Sequence, residues 1–277
     1  MRKSFRAASI ATACALAGGA LWGTGIATAG TNTDAHGTSA SRITEARSGN
    51  EPHNIGQLVA EIDAYYGITQ DDDGVYRASA DSDYAEDVAD VLARAKRDIK
   101  RQAAAHTRAK GDRPAIVLDI DDTVLLSIDY EKRTNYTYDN ATWNAYVERA
   151  DRPAVFGVPE LIDYAEDHGV EVFFLTGLGE DKREAAAENL AEIGVDTELD
   201  GEHAFFKDKA NPPSYLAHCA TAGKWNCTTV QYKAGTRKYI ESTGYDIIGS
   251  FGDQYSDLEG GYADETYKLP NPTYFVD

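Results

Sequence analysis

Cysteine is scarce in this chain, three in 277 residues, and one of the three, Cys14, falls in an apolar N-terminal stretch. The other two, Cys219 and Cys227, have no histidine at metal-ligand spacing, which argues against a zinc site. Positive charge is also in short supply. Lys and Arg total 27 against 46 Asp and Glu, a formal balance of −19 that excludes binding of nucleic acid through a basic face. Internal repeats are absent. What is present is ordinary for a globular protein: 42% hydrophobic and 26% charged residues, in a chain long enough for one sizeable core.

The N-terminus departs from that average. Arg2, Lys3 and Arg6 precede an Ala-rich apolar stretch from Ala7 to Ile26, and Ala27-Thr28-Ala29 offers a small-x-small cleavage site. Residues 1–29 are therefore read as a secretory signal peptide and the protein as secreted and extracellular. The stretch is short for a membrane span and rich in Gly and Thr, so no stable anchor is expected after cleavage. Cleavage would remove Cys14 and move the formal balance to −22. Outside the cell Cys219 and Cys227 are expected to pair, two free thiols being the alternative. Residues 30–52, polar and without period, read as a disordered leader, and 53–277 as one domain.

That domain is organised around Pro114 to Tyr130, PAIVLDIDDTVLLSIDY. Ala115, Ile116, Val117, Leu118 and Ile120 read as a strand buried on both faces, as in a parallel sheet. It ends on Asp119 and Asp121, whose spacing points both side chains the same way in an extended chain. Two neighbouring anions raise each other's energy unless a cation or a shared proton offsets the repulsion. A bare Asp-rich turn rarely abuts a buried run. A calcium loop fails because Val124 and Tyr130 stand where it needs Gly and a bidentate Glu. The third reading is a nucleophile and an acid/base group held by a magnesium ion, with Thr123 close behind to bond a phosphate oxygen.

The run VLDIDDT resembles the first motif of the haloacid dehalogenase-like (HAD) hydrolases. Its continuation, TVLLSIDY, is similar to the secreted acid phosphatases of that superfamily, class B or subfamily IIIB, a group that includes plant vegetative storage proteins. Three further motifs follow in order: Thr176-Gly177 after VEVFFL, Lys233 in YKAGTR, and Gly252-Asp253-Gln254-Tyr255-Ser256-Asp257 after YDIIGSF. Ligands of parallel α/β sheets bind beyond the carboxyl ends of strands, where these motifs fall. The resemblance implies Asp119 as nucleophile and Asp121 as acid and base. It places Thr176, Gly177 and Lys233 around the phosphate, and Mg2+ on the carboxylates of Asp119 and Asp253 and the backbone carbonyl of Asp121. Asp257 is expected to orient the ion's water rather than bind the ion. Leu178 stands where many relatives carry Arg, and Arg237, one turn after Lys233, is a candidate to supply or support charge. The six histidines, His36, His53, His106, His168, His203 and His218, include no RHG motif, which sets aside the histidine-type phosphatases.

The resemblance thus implies a magnesium-dependent phosphomonoesterase acting on a small-molecule phosphate ester through an aspartyl phosphate. A nucleotidase or phosphotransferase of the same fold is the alternative within enzymes, and a non-catalytic storage or binding protein the alternative outside them.

Elsewhere, Val88, Val91, Leu92, Ala95 and Ile99 mark an amphipathic helix over about 83–106. A helix with Pro159 in its first turn, the strand VEVFFL, the helix EDKREAAAENLAEIG, a helix over 235–242 and the strand YDIIGS follow. Strand alternating with helix predicts an α/β fold, a doubly wound, Rossmann-like parallel sheet. The resemblance makes it of HAD type, with N-terminal helices and a small, mainly helical cap inserted at about 124–157. The aromatics there, Tyr130, Tyr136, Tyr138, Trp143 and Tyr146, either stack on a leaving group or form the cap's own core. Residues 195–228 suggest no clear element.

Overall fold

The structure, a computed structural model, describes residues 52–109, 111–196 and 199–277. The expected signal peptide and all but the last residue of the expected leader lie outside the described residues.

The strands of the main sheet are β1 (Arg113–Leu118), β2 (Glu171–Gly179), β3 (Ala204–Lys207), β4 (Tyr245–Gly252) and β5 (Thr266–Lys268). They pair in parallel in the order β3-β2-β1-β4-β5, so the apolar run before Asp119 occupies the centre. Ala115 to Leu118 are all buried, and their side chains alternate between two cores. Ile116 and Leu118 enter one, Ala115 and Val117 the other, as the period of two requires.

The helices are α1 (Ile55–Tyr66), α2 (Asp83–Ala109), α3 (Ile128–Arg133), α4 (Asn140–Val147), α5 (Val158–Asp167), α6 (Arg183–Glu192), α7 (Thr229–Ser242) and α8 (Tyr255–Leu258). Val88 and Leu92 of α2, Leu161 of α5 and Leu190 of α6 fill the first core; Tyr232 and Ile240 of α7 fill the second. The sheet is therefore covered on both faces. Gly67 ends α1 in the left-handed region (φ 57°), where a Cβ would also lie 2.9 Å from that of Ser79.

Several boundaries differ from the sequence expectation, each for a local reason. α7 begins at Thr229 rather than at 235, because Thr228 and Gln231 form a reciprocal cap at 3.1 and 3.0 Å. Lys233 therefore sits inside the helix. β2 runs past Leu175 to Gly179, with a register shift on the way, so Thr176-Gly177 lies in an irregular part of the strand rather than beyond it. β3 and β5 were not anticipated; four and three residues are too few to show a period. Cys219 and Cys227 are joined by a disulfide across a hairpin in which Ala220 pairs with Trp225.

The segment 124–157 contains α3, which the sequence did not suggest, and α4. The rings of Tyr130, Trp143 and Tyr146 lie 5.0 to 5.9 Å apart and form a local aromatic cluster.

Candidate active site

β1 delivers Asp119 to the carboxyl edge of the sheet. The Asp119 N–H still donates to the Phe251 carbonyl of β4 at 3.0 Å, so its backbone is fixed by the pairing it terminates. The chain then turns sharply. The Ile120 carbonyl accepts the N–H groups of Val124 and Leu125, both at 2.9 Å, and Asp122 adopts the left-handed conformation (φ 53°), which Asp tolerates better than most residues. The Asp122 carboxylate accepts the Ser127 N–H at 2.8 Å, the Ser127 hydroxyl and the Tyr274 hydroxyl at 2.9 Å. This turn brings Asp119 and Asp121 to the wall of one cavity of about 440 Å³.

Lys233 enters from α7. Its ammonium donates to Asp119 Oδ1 and to the Leu175 carbonyl, both at 2.5 Å, and lies 3.0 Å from Asp257 Oδ1. Burial works against the charged ammonium, but the Asp119 and Asp257 carboxylates outweigh it and hold Lys233 above the usual lysine range. β4 supplies Asp253. Its Oδ2 accepts from Gln254 Nε2 and Asn271 Nδ2, both at 2.7 Å. Gly252 is required at the end of β4, because a Cβ there would fall 2.4 Å from the Asp257 Cβ.

Asp119, Asp253 and Asp257 thus lie buried with oxygens within 4.8 Å of one another. The one ammonium paired directly with this trio, that of Lys233, does not by itself neutralise three carboxylates. Burial, with Asp257 and Asp122 nearby, pushes Asp253 up to about 7, the behaviour of an acid short of positive charge. An all-oxygen, anionic set of this kind fits a hard divalent cation. Asp257 Oδ1 lies against Lys233 and its Oδ2 accepts the Gln254 N–H at 3.0 Å, so both of its oxygens are engaged by the protein.

Not every residue singled out in the sequence lines the cavity. Gly177, Leu178, Lys233, Asp253 and Asp257 do. Thr176 is fully buried and does not; its hydroxyl oxygen accepts the Leu178 N–H at 3.0 Å. Thr123, expected to bond phosphate, instead directs its hydroxyl to Asp253 Oδ1 at 3.3 Å. Arg237 does not reach the cavity either. Its guanidinium donates to the carbonyls of Asp257, Leu258, Glu259 and Gly261, so it supports the segment carrying Asp257 rather than supplying charge to a ligand.

The family model described as HAD superfamily, subfamily IIIB (acid phosphatase), matches residues 33–277. The chain belongs to this family. The stem 28 kDa glycoprotein of Glycine max is 32% identical over 165 residues, 58% of this chain and 59% of that one. Acid phosphatase 1 of Solanum lycopersicum is 30% identical over 164 residues, 58% of each chain. The chain therefore spans less than two thirds of the length of these relatives. The class C acid phosphatase from Bacillus anthracis superposes with a TM-score of 0.53 over 70% of this chain and 80% of that one, at 21% identity, a likeness of fold alone.

Three further parts of the site in this acid phosphatase family member were not singled out as site residues in the sequence. Arg152 is fully buried and donates to Asp121 Oδ1 at 2.6 Å. Asn189 of α6 holds it, accepting the Arg152 N–H at 3.1 Å and donating to its carbonyl at 2.8 Å. Lys207, at the end of β3, lines the cavity beside Gly177, 3.6 Å from where a Cβ on that glycine would lie. Burial, with the ammonium groups of Lys233 and Lys209, holds it below the usual lysine range. The segment Tyr274 to Val276 also lines the cavity, pinned by the Val276 N–H to Gln254 Oε1 at 3.0 Å and by the Ser256 hydroxyl to the Val276 carbonyl at 3.0 Å.

Proposed function

We propose that the protein is a secreted, magnesium-dependent phosphomonoesterase that works through an aspartyl phosphate on Asp119. One observation carries this reading: Asp119, Asp121, Lys233 and Asp253, scattered along the chain, line a single cavity at the carboxyl edge of a parallel sheet. Asp119 attacks phosphorus as the alcohol leaves, and water later releases the phosphoryl group, dividing one difficult displacement into two. Asp121, oriented by Arg152, gives a proton to the departing oxygen and takes one from the attacking water. Lys233, Lys207, the Gly177 backbone and the start of α7 at Thr229 line the same cavity and offer positive charge or N–H dipoles to the phosphate oxygens. Magnesium would be held by the Asp119 and Asp253 carboxylates and the Asp121 carbonyl, and when bound supplies charge neutralisation for the transferring group. Residues 1–29 act as the signal peptide in this reading, 30–52 as a leader, and 124–157 as a cap over the cavity.

Phosphate release from nitrophenyl phosphate, with and without EDTA, tests it. The parent should lose turnover on chelation and regain it with Mg2+, and Asp119→Asn should fall by at least about a thousandfold with its fold intact. A parent indifferent to EDTA removes the metal, and a variant near the parent rate removes the nucleophile. No release from any ester in a broad panel would favour the storage or binding alternative. Asp121→Asn should spare aryl esters relative to alkyl esters, since only the latter need a proton to leave.

A further inference from the structure

Part of the cavity wall comes from the segment 124–157. Glu131 of α3 lines it, is 6% exposed, and its carboxyl has no hydrogen-bond partner among the described residues. With its side chain largely withdrawn from water and no counter-charge beside it, the ionised form of this carboxyl is disfavoured, which calls for an explanation. The segment contains four cations, and each is committed to another acid. Lys132 donates to both oxygens of Asp63 at 2.7 Å, Arg133 to Asp129 at 2.8 Å, Arg149 to Asp151 at 2.8 Å and Arg152 to Asp121 at 2.6 Å. Among the described residues no cation pairs with Glu131. Burial, with the Asp122 charge, pushes its carboxyl up to about 8.

The surroundings at this end are aromatic. Tyr136, Tyr138 and Trp143 line the cavity with Glu131. The Tyr136 N–H donates to the Glu131 carbonyl at 2.8 Å, so these two residues are neighbours in space, and the Tyr138 and Trp143 rings lie 6.5 Å apart. The tyrosine hydroxyls are spent elsewhere, on Asp63 at 3.0 Å and on Asn140 at 3.2 Å, so neither donates to Glu131. Ring faces attract cations, as Lys132 does over Tyr136 at 5.6 Å and Arg152 over Trp143 at 5.8 Å, and a carboxyl that shares the cavity wall with these rings and Tyr138 makes a site for an alkylammonium group.

We propose that this end of the cavity binds an ammonium group, and that the substrates are phosphate monoesters of amino alcohols of the choline or ethanolamine type. The inference rests on the phosphatase reading above. A zwitterion of this kind matches both ends: its phosphate meets Lys233 and Lys207, its ammonium meets Glu131 and the rings. The ammonium restores the ionised carboxylate that burial disfavours, so binding the cation and ionising Glu131 support each other.

The test compares choline phosphate and ethanolamine phosphate with neohexyl phosphate, the uncharged carbon isostere of the first, and with nitrophenyl phosphate as a reference, all on the protein with its metal supplied. In the parent, kcat/KM for choline phosphate should exceed that for neohexyl phosphate by about tenfold or more, a ratio matching a cation–π contact with a buried charge. In Glu131→Gln the ratio should collapse toward one; it is read within each protein, so any general loss of activity cancels. If that variant does not fold, the parent alone gives the answer: choline should inhibit competitively at concentrations where neohexanol does not. A parent ratio near one, a ratio unchanged in the variant, or equal inhibition by both alcohols overturns the inference while nitrophenyl phosphate turnover leaves the phosphatase reading standing. Absence of turnover on all four esters overturns both.

Discussion

Asp119 and Glu131 are two carboxyl groups in the wall of one cavity, each 6% exposed. Asp119 is met by Lys233 at 2.5 Å and anchored through its backbone to β4, whereas Glu131 has no hydrogen-bond partner among the described residues. The elements that carry them account for the difference. Asp119 stands at the end of the central strand, where neighbouring strands and α7 converge; Glu131 sits on a helix of six residues whose own charges, Lys132 and Asp129, are bonded to Asp63 and to the Tyr76 N–H. A buried charge with its counter-charge built in belongs to machinery assembled before a ligand arrives. One without a counter-charge is complete only when a ligand brings it.

The largest expected effect separates these two kinds of carboxylate directly. Lys233→Ala leaves Asp119 and Asp257 buried without their ammonium and should cost about 3–5 kcal/mol in urea unfolding, with turnover down by at least about a hundredfold. Glu131→Gln, at the same burial, should cost no stability and should raise it near neutral pH, because no partner is lost and a carboxyl whose ionisation the fold disfavours is removed. Equal losses in the two variants would erase the distinction between the ends.

Replacing both Cys219 and Cys227 by Ser opens a loop with a sequence separation of 8 ahead of α7. About 2–3 kcal/mol of stability should be lost, with turnover kept within a few fold, since the hairpin lies outside the cavity lining. A loss of activity as large as that of Lys233→Ala would mean that the strand-end side depends on the loop for its geometry.

Trp143→Ala tests the aromatic end. KM should rise several-fold for esters with bulky alcohols while kcat stays near the parent value, because binding surface is lost and no reacting group is touched. A fall in kcat alone would move Trp143 to the chemical end.

The smallest effect lies away from both ends. His106 Nε2 is 2.6 Å from the Asp246 carboxylate; partial burial opposes its charge, but the Gln102 carbonyl and Asp246 outweigh that and raise its pKa. The folded form therefore binds the proton more tightly than the unfolded form. Stabilisation is complete below about 6.5, the ordinary histidine value, and fades as pH rises through the higher folded value. His106→Gln should flatten the pH dependence of the unfolding midpoint in that window and leave turnover unchanged. A parent whose midpoint rises with pH there would contradict the sign.

The acidic end was legible before the fold because each of its residues follows a run with a strong local signature: Asp119 after a continuous apolar strand, Asp253 after another, Lys233 in a short motif. The aromatic end was legible only in composition, since Tyr130 and Trp143 pack side by side although nothing in their spacing demands it. Arg152 lies in a stretch without period, and Lys207 on a strand of four residues that shows none. Arg237 misled for a related reason. It shares a helix face with Lys233, yet the carbonyls at 257–261 turn it away from the ligand.

Patterning along the chain determined the class of fold, the central strand and the order of acidic strand ends, because apolar periods and turn chemistry act over a few residues. Only the tertiary structure decided which cation meets which acid: Lys233 with Asp119, Arg152 with Asp121, and none among the described residues with Glu131. Charge pairing depends on distance through space, and spacing along a chain does not encode that distance until the sheet and its helices have closed around it.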